Sequence, residues 1–207
     1  RIQIEGVSTL IDLIDMEVPG VVVIDPGHGG TANEPGSSWN NATSPSGALE
    51  KTMALNYGLA LRDALRAVRD TDRLNLRIFM TRETDINRQG SFRAAKARDN
   101  GADVINIIHF NASDAHTARG TLEVYRTTSN VFPQQDTILS EGIVTRMVTA
   151  MTPFDAGANH RARVVYESAV ASDGNNGNTA AYCPVRTSYI EVEFIDFGAQ
   201  TTDLGND

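Results

Sequence analysis

One cysteine, Cys183, stands in the 207 residues. A single thiol cannot close an internal disulfide, and it excludes a cysteine-rich zinc site. Any metal is left to histidines and carboxylates. Long apolar runs are also missing: no stretch approaches the ~20 residues needed to cross a bilayer. Basic residues are in deficit, with 18 Lys plus Arg against 26 Asp plus Glu and a formal charge of −8. That balance argues against a nucleic-acid partner, whose phosphates need a basic face. No basic-then-apolar leader pattern follows Arg1, so the expectation is a processed product or an excised domain. Hydrophobic residues make up 41%, ordinary for a globular chain. The length suits one α/β domain with a sizeable core and does not comfortably suit two.

The segment from Val18 to Ile24 is apolar and β-branched, predicting a buried strand that stops at Asp25-Pro26-Gly27. Gly29 to Gly47 is rich in Gly, Asn, Ser and Thr and predicts a long surface loop, a common home for function. A helix is expected from Ala48 to Val68, with Leu49, Met53, Ala60, Ala64 and Ala67 at helical spacing and Leu55, Leu59, Leu61 and Leu65 widening the stripe. Further strands are expected at Arg77–Met80, Val104–His109, Thr121–Tyr125 (an edge), Val164–Tyr166 and Ser188–Phe194, and further helices at Gln89–Asn100 and Pro133–Met151. Ala171 to Thr179 reads as an exposed loop. Strands alternating with helices predict an α/β fold: a single layered domain, a twisted, mostly parallel sheet of about six strands with helices on both faces. Residues 1–17 are expected to be an N-terminal extension or the end of a preceding segment, and 18–207 one folded domain.

Ligands of open α/β sheets sit beyond the carboxyl ends of strands. His28 follows the first strand in Asp-Pro-Gly-His-Gly-Gly, and His109 closes Val-Ile-Asn-Ile-Ile-His, so both belong to one rim. Glu50 opens the long helix within reach of that rim. Each has an ordinary reading as well. The histidines can be rim residues, and with Gly47 as N-cap Glu50 would fill the N3 position of a capping box. The spacing His-x21-Glu-x58-His decides nothing by itself.

The surrounding motifs, taken in order, do more. Val22-Val23-Ile24-Asp25-Pro26-Gly27-His28-Gly29-Gly30 resembles the opening motif of the N-acetylmuramoyl-L-alanine amidases of the amidase-3 type. Gly47-Ala48-Leu49-Glu50-Lys51 resembles their glutamate ligand motif. Phe79-Met80-Thr81-Arg82, with Asp85, Arg93 and Ala94, is similar to their Thr-Arg strand and the next helix. Ile108-His109-Phe110-Asn111-Ala112 resembles their His-x-Asn motif, and Gly120 to Tyr125 the following strand. The resemblance implies that His28, Glu50 and His109 bind Zn2+. It aligns Glu191, in Glu191-Val192-Glu193-Phe194, with the catalytic glutamate; Glu193 stands where the family has a small residue, and Asp196-Phe197 where it has Ser-Asn. Strand alternation puts Glu191 and Glu193 on one face, so Glu193 is the alternative base.

The implied substrate is bacterial peptidoglycan, and the bond is the amide between N-acetylmuramic acid and L-alanine of the stem peptide. Zinc would activate water and polarise the scissile carbonyl, with Glu191 as general base. Asn111 is expected to position substrate or support His109, and Trp39 to wall a groove for glycan or peptide. The stretch from Arg126 to Gln135 is too short for a plugging helix. The expectation is therefore a monomer with an open site, needing no obligatory activator. It would act at the bacterial cell wall as an autolysin or a phage endolysin, whether secreted, periplasmic or phage-delivered. Two alternatives remain: a zinc peptidase cutting within the stem peptide, and an inactive wall-binding module. No Gly-x-Gly-x-x-Gly or Gly-Lys-Ser/Thr pattern follows the first strand, which argues against a nucleotide site.

Overall fold

The computed structural model describes residues 19–125, 130–161, 164–165 and 185–197. The expectations for 1–17 and 171–179, and Cys183, lie outside them. The elements run β1 (Gly20–Pro26), α1 (Glu50–Asp72), β2 (Leu76–Met80), α2 (Gly90–Asp99), β3 (Val104–Asn111), β4 (Leu122–Tyr125), α3 (Pro133–Met151), β5 (Val164–Val165) and β6 (Arg186–Phe194). They form one six-stranded sheet in the order β2-β1-β3-β6-β4-β5. β2, β1, β3 and β6 are mutually parallel, β4 runs antiparallel to β6, and β5 is parallel to β4.

The helices cover both faces. Ile24, Ile108, Ile190 and Val192 form one core with Met53, Leu59, Leu61 and Leu65 of α1 and Val144, Met147 and Val148 of α3. Val23, Ile105, Ile107, Tyr189 and Phe194 form the other, with Ala97 of α2. Double coverage explains why β1 carries the unbroken apolar run Val21–Ile24 and why β3, though interrupted by Asn106, is apolar on both faces instead of alternating. Ile105 and Ile107 are fully buried, each contributing about 1.5–3 kcal/mol by transfer.

Three expectations change. Thr121–Tyr125 is not an edge: β4 lies between β6 and the short β5, which pairs with Val124 and Tyr125. In α1, Ala60, Ala64 and Ala67 are exposed, and the buried line is Glu50, Lys51, Ala54 and Gly58. The sheet selects that line because β1 approaches α1 so closely at Gly58 that a Cβ there would lie 2.6 Å from Pro26 Cγ. The loop from Gly29 to Gly47 is not wholly at the surface either. Ala42 and Ser44 are buried, because this loop supplies partners to the site.

β1, β3 and β6 are adjacent and parallel, so their carboxyl ends share one rim. Pro26 pairs with Ile108, and His109 with Glu191. The expected ligands and the expected base thereby meet on three consecutive strands and the start of α1.

Candidate metal centre

Beyond β1 the chain must turn sharply. Gly27 continues the ladder through its amide to Ile108 O at 2.9 Å. His28 then adopts φ 61° and Gly29 φ 134°. Positive φ is uncommon for a non-glycine residue, and such conformations cost on the order of 1–3 kcal/mol unless neighbours impose them. Arg93 imposes this one. Its Nη2 donates to His28 O at 2.9 Å and its Nη1 to Pro26 O at 2.7 Å. The same Nη1 meets Asp25 Oδ1 at 2.6 Å, a pair that is almost completely buried. Thr81 Oγ1 also donates to Asp25 Oδ1.

Glu50 does not form a capping box. Leu49 is the N-cap, Glu50 is the first helical residue, and no side chain caps the end. The carboxylate turns instead toward the rim. Oε1 lies 2.9 Å from both His28 Nε2 and His109 Nδ1, and Oε2 accepts the Ala42 amide at 2.9 Å. Burial alone would raise the Glu50 pKa. Hydrogen bonds from His109 and His28 outweigh it and hold the carboxyl well below the ordinary carboxylate range.

His28, Glu50 and His109 each offer a ligand atom within 4.8 Å of the others, and all three are buried. His28 Nδ1 is 3.0 Å from the Ser38 carbonyl and hydroxyl. Donation to the carbonyl would leave Nε2 bare for a cation. His109 stacks on Tyr189 with centroids 4.8 Å apart, and its Nε2 is buried without a hydrogen bond. A Cβ on Gly27 would lie 2.4 Å from that ring. Two imidazoles and one carboxylate converging out of water suit a divalent cation, and the borderline-soft zinc in particular. Among the described residues no other group of three such side chains converges. His116 pairs with Asp196, and His160 with Glu123, each at 2.9 Å.

The two C-terminal glutamates part company. Glu191 is half-buried and in register with His109. A register shift follows, so that Asn111 pairs with Phe194. Val192 packs with Ile190 on one face, whereas Phe194 packs with Tyr189 on the other, so alternation breaks at Glu193. Glu193 is buried, and its Oε1 accepts the amides of Gly120 and Phe194. The regular alternation on which a shared face for 191 and 193 was expected does not hold, because the extra residue of a bulge lies between the Glu191 and Phe194 pairings.

Asn111 is half-buried, with Oδ1 on the Ala112 amide at 2.8 Å. Trp39 is 37% exposed, and its carbonyl accepts the Gly29 amide at 3.0 Å. Lys51 Nζ sits 5.3 Å from the Trp39 ring centroid and donates to Gly30 O and Asp85. The sequence reading assigned no role to Asp25, Lys51, Ser38, Arg82 or Arg93. The available signal was polar residues closing apolar strands, as in Ile24-Asp25 and Met80-Thr81-Arg82.

The sequence profile of the N-acetylmuramoyl-L-alanine amidase family, amidase-3, matches residues 22–196. The chain belongs to this family. It is 38% identical over 101 residues to the N-acetylmuramoyl-L-alanine amidase AmiC of Neisseria meningitidis serogroup B; the match covers 49% of this chain and 21% of AmiC. The chain thus spans about a fifth of that relative. Its fold is similar to Cwp6 of Clostridium difficile, with TM-score 0.63, 25% identity, and coverage of 88% of this chain and 25% of Cwp6. The catalytic domain of CwlV, an amidase of Bacillus (Paenibacillus) polymyxa, matches with TM-score 0.58 and 22% identity over 84% of this chain and 80% of that one.

Proposed function

We propose that this chain is a zinc-dependent peptidoglycan hydrolase that cleaves the amide between N-acetylmuramic acid and L-alanine of the stem peptide. One observation carries the reading: a buried His28–Glu50–His109 cluster stands at the rim with Glu191 in register beside it. Membership of the amidase family supports the bond and the substrate class.

His28, Glu50 and His109 would hold the ion. A bound zinc would polarise the scissile carbonyl as a Lewis acid and would lower the pKa of water at the site toward ~7. The protein contributes the rest. Glu191 takes a proton from the attacking water and delivers it to the departing alanine nitrogen as the C–O bond forms and the C–N bond breaks. Glu193, fixed on two backbone amides, is not the base. Burial of the three ligands keeps bulk water from competing. Trp39 and Asn111 contact substrate at the rim. The site works at the bacterial cell wall, in a monomer without an obligatory activator. Among the described residues no helix is long and apolar enough to cross a membrane. α3 starts at Pro133, which leaves only residues 126–132 after β4.

Mass spectrometry of digested peptidoglycan tests this reading. New L-alanine amino termini with intact glycan, lost on chelation and restored by zinc, are expected. Cleavage within the stem peptide, or digestion indifferent to chelator, would overturn it.

A further inference from the structure

Arg82 leaves the end of β2 and turns under the rim. It is only 3% exposed, yet among the described residues it forms no salt bridge. Four backbone carbonyls hold it instead. Nε donates to Pro26 O at 3.0 Å and Nη1 to Thr84 O at 3.2 Å. Nη2 donates to Gly27 O at 2.7 Å and to Lys51 O at 2.6 Å. Gly27 precedes His28, and Lys51 follows Glu50. One nitrogen therefore ties together the two backbone segments that carry two of the three ligands, although 22 positions of chain (28 to 50) separate them.

The arrangement is a costly one. A cation taken out of water without a carboxylate partner loses hydration that carbonyl dipoles only partly replace. Burial, then the nearby charge of Arg93, push the Arg82 pKa down to about 10, against the pull of Asp25 and Asp85; the group stays charged at neutral pH. A neutral side chain of similar volume would pack with less penalty. What it would lack is a rigid planar fork that addresses carbonyls on both sides at once. Arg93, the other buried arginine among the described residues, grips Pro26 and His28 but no carbonyl of α1, so it cannot perform this bridging.

We propose that Arg82 is a positioning residue that sets the spacing between the His28 and Glu50 ligands, so that metal affinity and coordination geometry depend on a side chain that is not itself a ligand. The inference rests on the zinc reading of the site given above.

The test uses the full chain with R82K, R82Q and, as a half-exposed control outside the site, R69K. Three quantities are read: zinc affinity by chelator competition, the visible spectrum of the cobalt-substituted protein, and the melting temperature of the metal-free form. R82K and R82Q should bind zinc about 10- to 100-fold more weakly, the range typical for removing a partner behind the ligands. Their cobalt bands should shift, while R69K matches the parent. A purely structural role would lower the metal-free melting temperature and leave the affinity and spectrum of the folded protein unchanged. That outcome in R82K overturns the proposal, and R82K carries the test should R82Q not fold. If the parent chain itself binds no zinc, the zinc reading falls and takes this inference with it. If the parent binds and R82K binds equally, this inference alone falls.

Discussion

At Gly27 a methyl group would overlap the His109 ring, with its Cβ 2.4 Å from Cε1 and Nε2. The ring is stacked on Tyr189 and cannot retreat without breaking that contact. Gly27→Ala is therefore expected to fold but to weaken zinc binding by at least 10-fold, measured by chelator competition; affinity equal to the parent's would mean His109 is not a ligand. The glutamates give a paired prediction. Glu191→Ala should reduce turnover at least 100-fold with zinc content unchanged, since general bases typically contribute 10²–10⁴-fold. Glu193→Ala should retain turnover but lose about 1–3 kcal/mol of stability in urea denaturation, because two buried amides lose their acceptor. Reversed phenotypes would reassign the base. At this scale the three residues that converge at the rim, His28, Glu50 and His109, were legible from ordered motifs. The separation of 191 from 193 was not, because a bulge is set by pairing with β3 and leaves no mark in local composition.

Among the elements, α1 carries the most consequence. It delivers Glu50 from its first position and packs on β1 through Gly58. Gly58→Ala improves helix propensity by roughly 1 kcal/mol. It also drives a Cβ to 2.6 Å from Pro26 Cγ, and overpacking of that kind costs about 1–3 kcal/mol. The expected net result in urea denaturation is a loss of stability, and a gain would show that α1 can lift from the sheet. Below the rim, Asp25→Ala strips Arg93 of its only carboxylate among the described residues and should cost about 3–5 kcal/mol, or prevent folding. Strand and helix positions were largely readable, since apolar β-branched runs and helical spacing survive in sequence. α3 begins and ends where its pattern predicts. The face of α1 was read in part: Met53, Leu59, Leu61 and Leu65 pack into the core as expected, but alanines fit a helical stripe whether buried or exposed, and the sheet, not the spacing, chose Lys51, Ala54 and Gly58 as the inner line.

For the whole molecule, the proposed zinc site predicts a link between metal and fold. Zinc at ~100 times its dissociation constant should add about 2.7 kcal/mol to stability and raise the melting temperature by roughly 5–11 °C for a chain of this size. Calorimetry with and without chelator measures this, and no shift would exclude a site formed only in the folded state.

The sequence by itself determined the α/β layering and the family and singled out His28, Glu50 and His109 as candidate ligands, because apolar periodicity and short contiguous motifs are local properties of the chain. Only the tertiary structure decided that Glu50 faces the rim instead of capping its helix, that Glu193 is tied to backbone amides, and that Arg82 and Arg93 grip the turn from beneath. Those outcomes depend on register and approach between segments far apart in the chain. No local pattern encodes them.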